Sequence, residues 1–311
     1  MCRKCGSLDI IKWGKYLGKQ RYKCTTCSAV FTLGKKWHEK AYEDYCLKGY
    51  DYRDIVLKYG KDIRTVQRGF DRLRVPELCL PLANKDINVC LDGVYFGWSI
   101  SFIVMRANGQ NIYFEQTSET VEHIAECLRK AEVLGYRYKS FTIDGRKGVV
   151  QMLQECYPGV PIQYCQFHQK KTVRYYLTRE PKTECGKALL TFLRPLTGYS
   201  RQEFEQGLQA LEQQYKEFLA ERNEQGRYMH RSVRSAFRSL KRNLPYLFTY
   251  KEEQYRHLNI PNTTNTCEGY FSQLKSKVRV HSGLIRERRI KLIKKLLSDA
   301  QLDPFTNKNA Y

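Results

Sequence analysis

Two Cys-x-x-Cys knuckles, Cys2-Arg-Lys-Cys5 and Cys24-Thr-Thr-Cys27, stand eighteen residues apart at the start of the chain. Each knuckle turns two thiolates onto one side of a tight bend, and two knuckles supply the four sulfurs of a closed tetrahedral Zn²⁺ shell. Between them, "DIIKWGKYLGKQRYKC" reads as short strands around a glycine turn, and "AVFTL" follows. Residues 1–36 are therefore expected to form a zinc ribbon that depends on its metal to fold, because the segment holds little apolar material. The other reading, unrelated buried cysteines or a redox pair, requires this closed set to arise by accident.

From His38 the apolar pattern becomes helical. Ala41, Tyr45 and Leu47 can face a core, and after Gly49 the stretch "YRDIVLKYG" forms a second helix that stops at Gly60. Asp62 reads as the N-cap of a third helix with Ile63, Val66, Phe70 and Leu73 on one stripe. Helix, glycine turn, helix over residues 37–75 predicts a helix-turn-helix. Arg64, Thr65, Gln67, Arg68 and Arg72 lie off the stripe, where they can meet base edges or phosphates. The alternative is a solvated charged face, as on any amphipathic helix pair. Residues 1–74 carry eighteen Lys or Arg against eight Asp or Glu, a balance of +10, which favours the DNA-reading alternative. Proline and asparagine in "VPELCLPLANKD" mark residues 76–86 as a linker.

The whole chain carries a formal net charge of +22, which points to a polyanionic partner, with nucleic acid foremost. The longest apolar run, Val94 to Met105, is too short to span a membrane, and "MCRKCGSLDI" has no apolar signal segment. A cytoplasmic protein without membrane contact is expected.

After the linker the period changes to that of strands. "INVCLDGVYFGWSISFIVMRANGQNIYFEQ" reads as a buried strand ending at Asp92, a turn at Gly93, a long apolar strand, an Asn108-Gly109 hairpin and a third strand. An amphipathic helix follows from Ser118 to Leu134, with Val121, Ile124, Leu128 and Leu134 on one face. A strand "YKSFTID" then ends at Asp144, and a helix "GVVQMLQECYPG" leads to a fifth strand "VPIQYC". A three-strand meander followed by alternating helix and strand is the order of a ribonuclease H-like α/β fold. If the fourth strand lies beside the first, Asp92 and Asp144 share one sheet edge. Crowded carboxylates take up protons unless cations offset their repulsion, and hard oxygen ligands suit Mg²⁺ or Mn²⁺. The plainer reading of either aspartate alone is a turn or capping residue.

A third acid can complete such a site. In "PNTTNTCEG", Thr263, Thr264, Asn265 and Thr266 can cap a helix that carries Glu268 in its first turn and packs Phe271, Leu274 and Val278 inward. From Lys275 to Lys295 there are nine Lys or Arg and one acid, so Lys275, Lys277 and Arg279 are candidate contacts to a phosphodiester backbone. Glu268 as an ordinary first-turn acid complementing the helix dipole is the alternative.

Three segments make the sequence resemble DDE transposases of the Mutator-like superfamily, which includes many bacterial insertion-sequence enzymes. They are "CLDGVYFG" around Asp92, "FTIDGRKGVVQMLQECYPGVPIQYCQFH" around Asp144, and "PNTTNTCEGYFSQLKSKVRVHSGL" around Glu268. The second carries a Cys-x-x-His signature as Cys165 to His168, and the third ends in a His-x-Gly-Leu motif, His281 to Leu284. The resemblance covers most of residues 85–297. It implies that Asp92, Asp144 and Glu268 hold catalytic Mg²⁺ or Mn²⁺, and that Cys165 and His168 support the active-site wall as buried packing and hydrogen-bonding residues. It also implies a ribonuclease H-like core in two parts, 87–169 and 261–311, around an all-helical insertion, 170–260. The insertion would make DNA-end contacts or dimer contacts. The expected partners are double-stranded DNA, as element ends and target, and further copies of the chain in a dimer or larger assembly at the bacterial nucleoid. The activity implied is end recognition, cleavage and joining of the freed 3′ hydroxyl to target DNA. The alternatives are a domesticated DNA-binding regulator and a structure-specific nuclease of the same fold.

Overall fold

The computed structural model describes residues 1–2, 4–32, 37–75, 82–97 and 99–299. They form two compact units, Met1–Arg74 and Val75–Tyr311. Most of the expected linker, residues 76–81, lies outside the described residues, as do residues 33–36 at the junction of the first two expected segments.

The first unit begins with an antiparallel sheet of β1 (Ile10–Tyr16), β2 (Lys19–Cys24) and β3 (Val30–Thr32), in that order. Almost none of it is buried: β1 has no buried residue, and Cys2 and Cys24 are the buried apolar residues of this part. Three helices follow, α1 (Trp37–Leu47), α2 (Tyr52–Tyr59) and α3 (Ile63–Arg72). Asp51 and its N3 partner Asp54 form a reciprocal capping box at the start of α2, and Gly60, left-handed at φ 59°, ends it. The Asp62 side chain caps α3 by accepting from the Thr65 amide, as expected. The core here is aromatic: the rings of Tyr42 and Tyr45 lie 5.0 and 5.3 Å from that of Phe70, and Tyr52 stands 5.0 Å from Tyr45. Of the expected stripe, Val66 and Phe70 are buried, whereas Ile63 is exposed and Leu73 half-buried.

The second unit is built on a five-stranded mixed sheet. Its strands are β4 (Asp86–Tyr95), β5 (Ser101–Ala107), β6 (Gln110–Glu115), β7 (Arg137–Ile143) and β8 (Ile162–Tyr164), ordered β6-β5-β4-β7-β8. The meander β4-β5-β6 is antiparallel, while β7 and β8 run parallel to β4. One boundary differs from the sequence reading. The first strand does not stop at Asp92 with a turn at Gly93; it pairs Asp92 with Val104 and Gly93 with Ile103, and ends at Tyr95. The turn falls between Tyr95 and Ser101 at Gly97, φ 75°, so the long apolar run is divided between two strands. Unbroken apolarity hid that reversal, because both strands are buried.

Two helices flank the parallel strands in sequence, α4 (Val121–Val133), capped by Thr120, and α5 (Lys147–Cys156). Beyond β8 the chain is helical: α6 (Gln166–Leu177), α7 (Glu184–Leu193), α8 (Arg201–Gln214), α9 (Lys216–Ala220) and α10 (Arg231–Leu247), then two short 3₁₀ turns, α11 (Asn265–Val280) and α12 (Arg286–Leu297). These helices do not make a separate core. Leu189, Phe204, Leu240 and Phe248 belong to the same apolar cluster as Val89, Ile103 and Phe141 of the sheet. Burying large apolar side chains of this kind contributes about 1.5–3 kcal/mol each, so sheet and helices stabilise one another.

Candidate active site

Strand alternation sorts β4 and β7 into two faces. Ile87, Val89 and Leu91 enter the apolar cluster, as do Phe141 and Ile143. Asn88, Cys90, Asp92, Ser140, Thr142 and Asp144 therefore belong to the opposite face. The parallel register pairs Cys90 with Thr142. Continued two residues further, that register would bring Asp92 level with Asp144 on one face. Asp92 is half-buried within its strand; Asp144 is exposed just past the end of β7, and its carboxylate accepts from the Arg146 amide at 3.3 Å.

Polar residues on this face fix the third acid. Asn88 donates to the Leu258 carbonyl at 2.6 Å while accepting from Ser140, and Thr142 donates to the Pro261 carbonyl at 2.8 Å. The Gln166 amide donates to the Asn262 carbonyl at 3.0 Å. Residues 258–262 are thereby laid along the sheet, which satisfies their backbone and delivers α11 to the carboxylates. Glu268 lies in the first turn of α11, with Phe271, Leu274 and Val278 buried as expected. The expected side-chain cap is not formed by Thr264, the residue at the N-cap position. Its hydroxyl is engaged elsewhere, donating to Cys165 Sγ at 3.2 Å and lying 3.3 Å from His168 Nδ1. The Thr264 amide also donates to that sulfur, at 3.1 Å.

Cys165 is thus a buried hinge between β8 and α11, and its Cys-x-x-His partner reaches further. His168 Nε2 sits 3.1 Å from Glu268 Oε1, and Lys171 Nζ sits 3.6 Å from the same oxygen. Burial works to lower the His168 pKa, but the hydrogen bond to Cys165 and the charges of Cys165, Asp92 and Glu268 raise it to about 9. The imidazolium consequently links Asp92 to Glu268 electrostatically. Burial, followed by the negative charges of Asp144 and Glu119 and opposed by His168, pushes the Asp92 carboxyl up to about 7.

Glu119 was not among the sequence candidates. Its carboxylate accepts from the Tyr95 hydroxyl at 2.8 Å and lies 3.4 Å from the Arg146 guanidinium, which also donates to the Glu119 carbonyl at 2.7 Å. A Cβ on Gly93 would come within 2.5 Å of Glu119 Oε2, so a larger residue beside Asp92 would displace this carboxylate from the place it holds. The two Asp-Gly pairs therefore differ: Gly93 provides clearance inside a strand, whereas Gly145, φ 89°, is a true turn residue. The sequence signal for Glu119 was its place just before the Thr120 cap of α4, which by itself suggests only a helix start.

These acids suit a hard divalent cation. They supply oxygen donors, and the Asp92 carboxyl is raised to about 7, first by burial and then by the negative charges of Asp144 and Glu119, which a cation would offset. Among the described residues, the group of His, Cys, Asp or Glu whose ligand atoms all lie within 4.8 Å of one another is Cys2, Cys5, Cys24 and Cys27. The ligand oxygens of Asp92, Asp144 and Glu268 are not brought that close together. In the first unit, the Cys2–Cys27 and Cys5–Cys24 sulfurs are each 3.6 Å apart. That is close to the roughly 3.8 Å edge of a tetrahedron with metal–sulfur bonds of about 2.3 Å.

A family model for "Transposase, Mutator family" matches residues 135–303, more than half of the chain. The chain belongs to the Mutator family of transposases. The match to this transposase family includes Asp144, Cys165, His168 and Glu268; Asp92 lies upstream of it. No curated protein matches the sequence. A solved structure, the Drosophila P element transposase strand transfer complex, is similar at 10% identity and a TM-score of 0.42, over 86% of this chain and 92% of that one.

The remaining sequence candidates are distributed as follows. Arg64, Arg68 and Arg72 are exposed along α3, with Thr65 and Gln67 half-buried beside them. Lys275 and Arg279 are exposed on α11, and Lys277 is half-buried. No described helix is long and apolar enough to cross a membrane.

Proposed function

We propose that this transposase is a DDE enzyme with a ribonuclease H-like core, in which Asp92, Asp144 and Glu268 cut DNA and join the freed 3′ hydroxyl to a target. The observation that carries the reading is the Cys90–Thr142 parallel register, which aligns the two aspartates, together with the Glu268 to His168 contact. A pair of Mg²⁺ or Mn²⁺ ions held by the three acids would activate a hydroxyl nucleophile and stabilise the leaving oxygen of an in-line attack on phosphorus. The chain's own contribution is positional. Strand register would bring Asp92 and Asp144 together, and the segment bonded to Asn88, Thr142 and Gln166 would carry Glu268 toward them. His168 offsets the charge of Asp92 and Glu268, and Lys171 stands ready for a phosphate oxygen.

The first unit is read as a zinc ribbon joined to a helix-turn-helix, with Zn²⁺ held by Cys2, Cys5, Cys24 and Cys27. Arg64, Thr65, Gln67, Arg68 and Arg72 would address the terminal inverted repeats, and Lys275, Lys277 and Arg279 the backbone near the cut. Two or more copies would act together on paired ends in the bacterial cytoplasm.

The test is incubation of the purified chain with Mn²⁺ and labelled DNA bordering its own gene. Cleavage followed by strand transfer, abolished by Asp92→Asn, Asp144→Asn or Glu268→Gln, is expected. Binding without cleavage would replace the enzyme by a DNA-binding regulator, and cutting without joining or end preference by a nuclease.

A further inference from the structure

Next to the carboxylates lies a second feature that the cleavage chemistry does not use. A cleft of about 320 Å³ opens between the β4–β5 turn and the turn joining α11 to α12, with Tyr95, Lys275, Arg279 and Arg289 in its walls. Its described lining contains no acidic side chain. Among the described residues, Lys275, Arg279 and Arg289 make no ion pair, although Lys130, Arg137 and Lys241 elsewhere in this unit all do. Three cations held together without a counter-charge repel one another, and an anion in the cleft relieves that repulsion.

The helix α11 gives the distance from Glu268 to this cleft. Lys275 stands seven residues, two helical turns, beyond Glu268 in α11, about 10 Å at roughly 1.5 Å per residue. A nucleic-acid strand advances roughly 3.4 Å per nucleotide along its axis. That path thus ends about three nucleotides from a phosphate held at the acids.

We propose that this cleft is a phosphate subsite that sets the register of the DNA strand, seating the phosphodiester about three nucleotides from the one that is cut. The proposal rests on the reading of Asp92, Asp144 and Glu268 as the cleavage centre. It assigns Arg289 to substrate positioning and gives Lys275 and Arg279 one shared phosphate rather than a diffuse backbone.

The experiment scans single methylphosphonate substitutions through six phosphates on each side of the cut, in duplexes carrying the DNA that borders the gene. Binding by the full chain is measured in Ca²⁺, and the cut position is mapped in Mn²⁺. Wild-type protein is expected to lose about tenfold in affinity at one phosphate two to four nucleotides from the cut. Lys275→Gln and Arg289→Gln should be insensitive at that phosphate, remain sensitive elsewhere, and lower the slope of log affinity against log salt by about one. Both side chains lie at the surface of the cleft, and thermal melting checks that the variants fold. If both variants keep the full wild-type sensitivity at every position, the subsite is overturned. A wild-type chain that binds with the expected coupling but never cuts would instead overturn the cleavage reading, because the coupling is read from binding alone.

Discussion

The two units reach a fixed structure by opposite means. The sheet of residues 10–32 has almost no buried apolar side chain, and its strands converge on four sulfurs. The second unit threads one apolar cluster from Ile87 through Phe248 and needs no such clasp. Between these extremes stand α1, α2 and α3, with a small aromatic core and a buried acid, Asp44, that accepts from Lys58 at 2.6 Å and from the Tyr59 hydroxyl at 2.8 Å. On the proposed reading, a DNA-binding unit can be small because ligand chemistry replaces a core, whereas a site that must hold three acids from distant segments requires a large, continuous one.

The largest effect that would break this contrast is metal removal. Chelation, or Cys24→Ser, should unfold residues 1–32, since structural Zn²⁺ contributes on the order of 10 kcal/mol to such modules. Hydrogen exchange should show those amides losing protection while β4 and β7 keep theirs. Equal loss in both units would contradict the separation. Next in size, Phe141→Ala in the shared cluster should cost about 4 kcal/mol of second-unit stability and leave the first unit unchanged in a denaturant melt.

Asp44 gives a smaller and pH-dependent effect. Burial works to raise its pKa, but hydrogen bonds from Lys48, Lys58 and Tyr59 prevail and hold it at about 2. A depressed carboxyl contributes stability that is present above its ordinary pKa and is lost as pH falls through the folded value. Exchange protection of α1 and α2 should therefore weaken between pH 4 and pH 2, and Asp44→Asn should remove that slope and cost about 2 kcal/mol at neutral pH. The smallest expected effect is Asp62→Ala, about 1 kcal/mol from the lost cap on α3, measured by thermal melting.

What could be read from the sequence follows the range of the forces involved. Asp62 and Gly60 were legible because caps are local. The strand order around Asp92 and Asp144 was legible because period and punctuation report strands, but the position of the first turn was not, since a buried hairpin shows no polar alternation. The Cys-x-x-His pair was visible as a motif, yet the bond from Thr264 to Cys165 and the contact from His168 to Glu268 join residues about a hundred positions apart. Glu119 was missed for the same reason. Its partners Tyr95 and Arg146 lie on other elements, and the glycine that makes room for it looked like a turn.

The convergence of Asp92, Asp144 and Glu268 is the claim on which the enzymatic account stands, and Fe²⁺-directed hydroxyl-radical cleavage of the polypeptide tests it directly. Loaded with Fe²⁺ in place of Mg²⁺, the chain should be cut near all three residues together, and excess Mg²⁺ should suppress all three cuts in parallel. Cuts near residues 92 and 144 with none near 268 would contradict it.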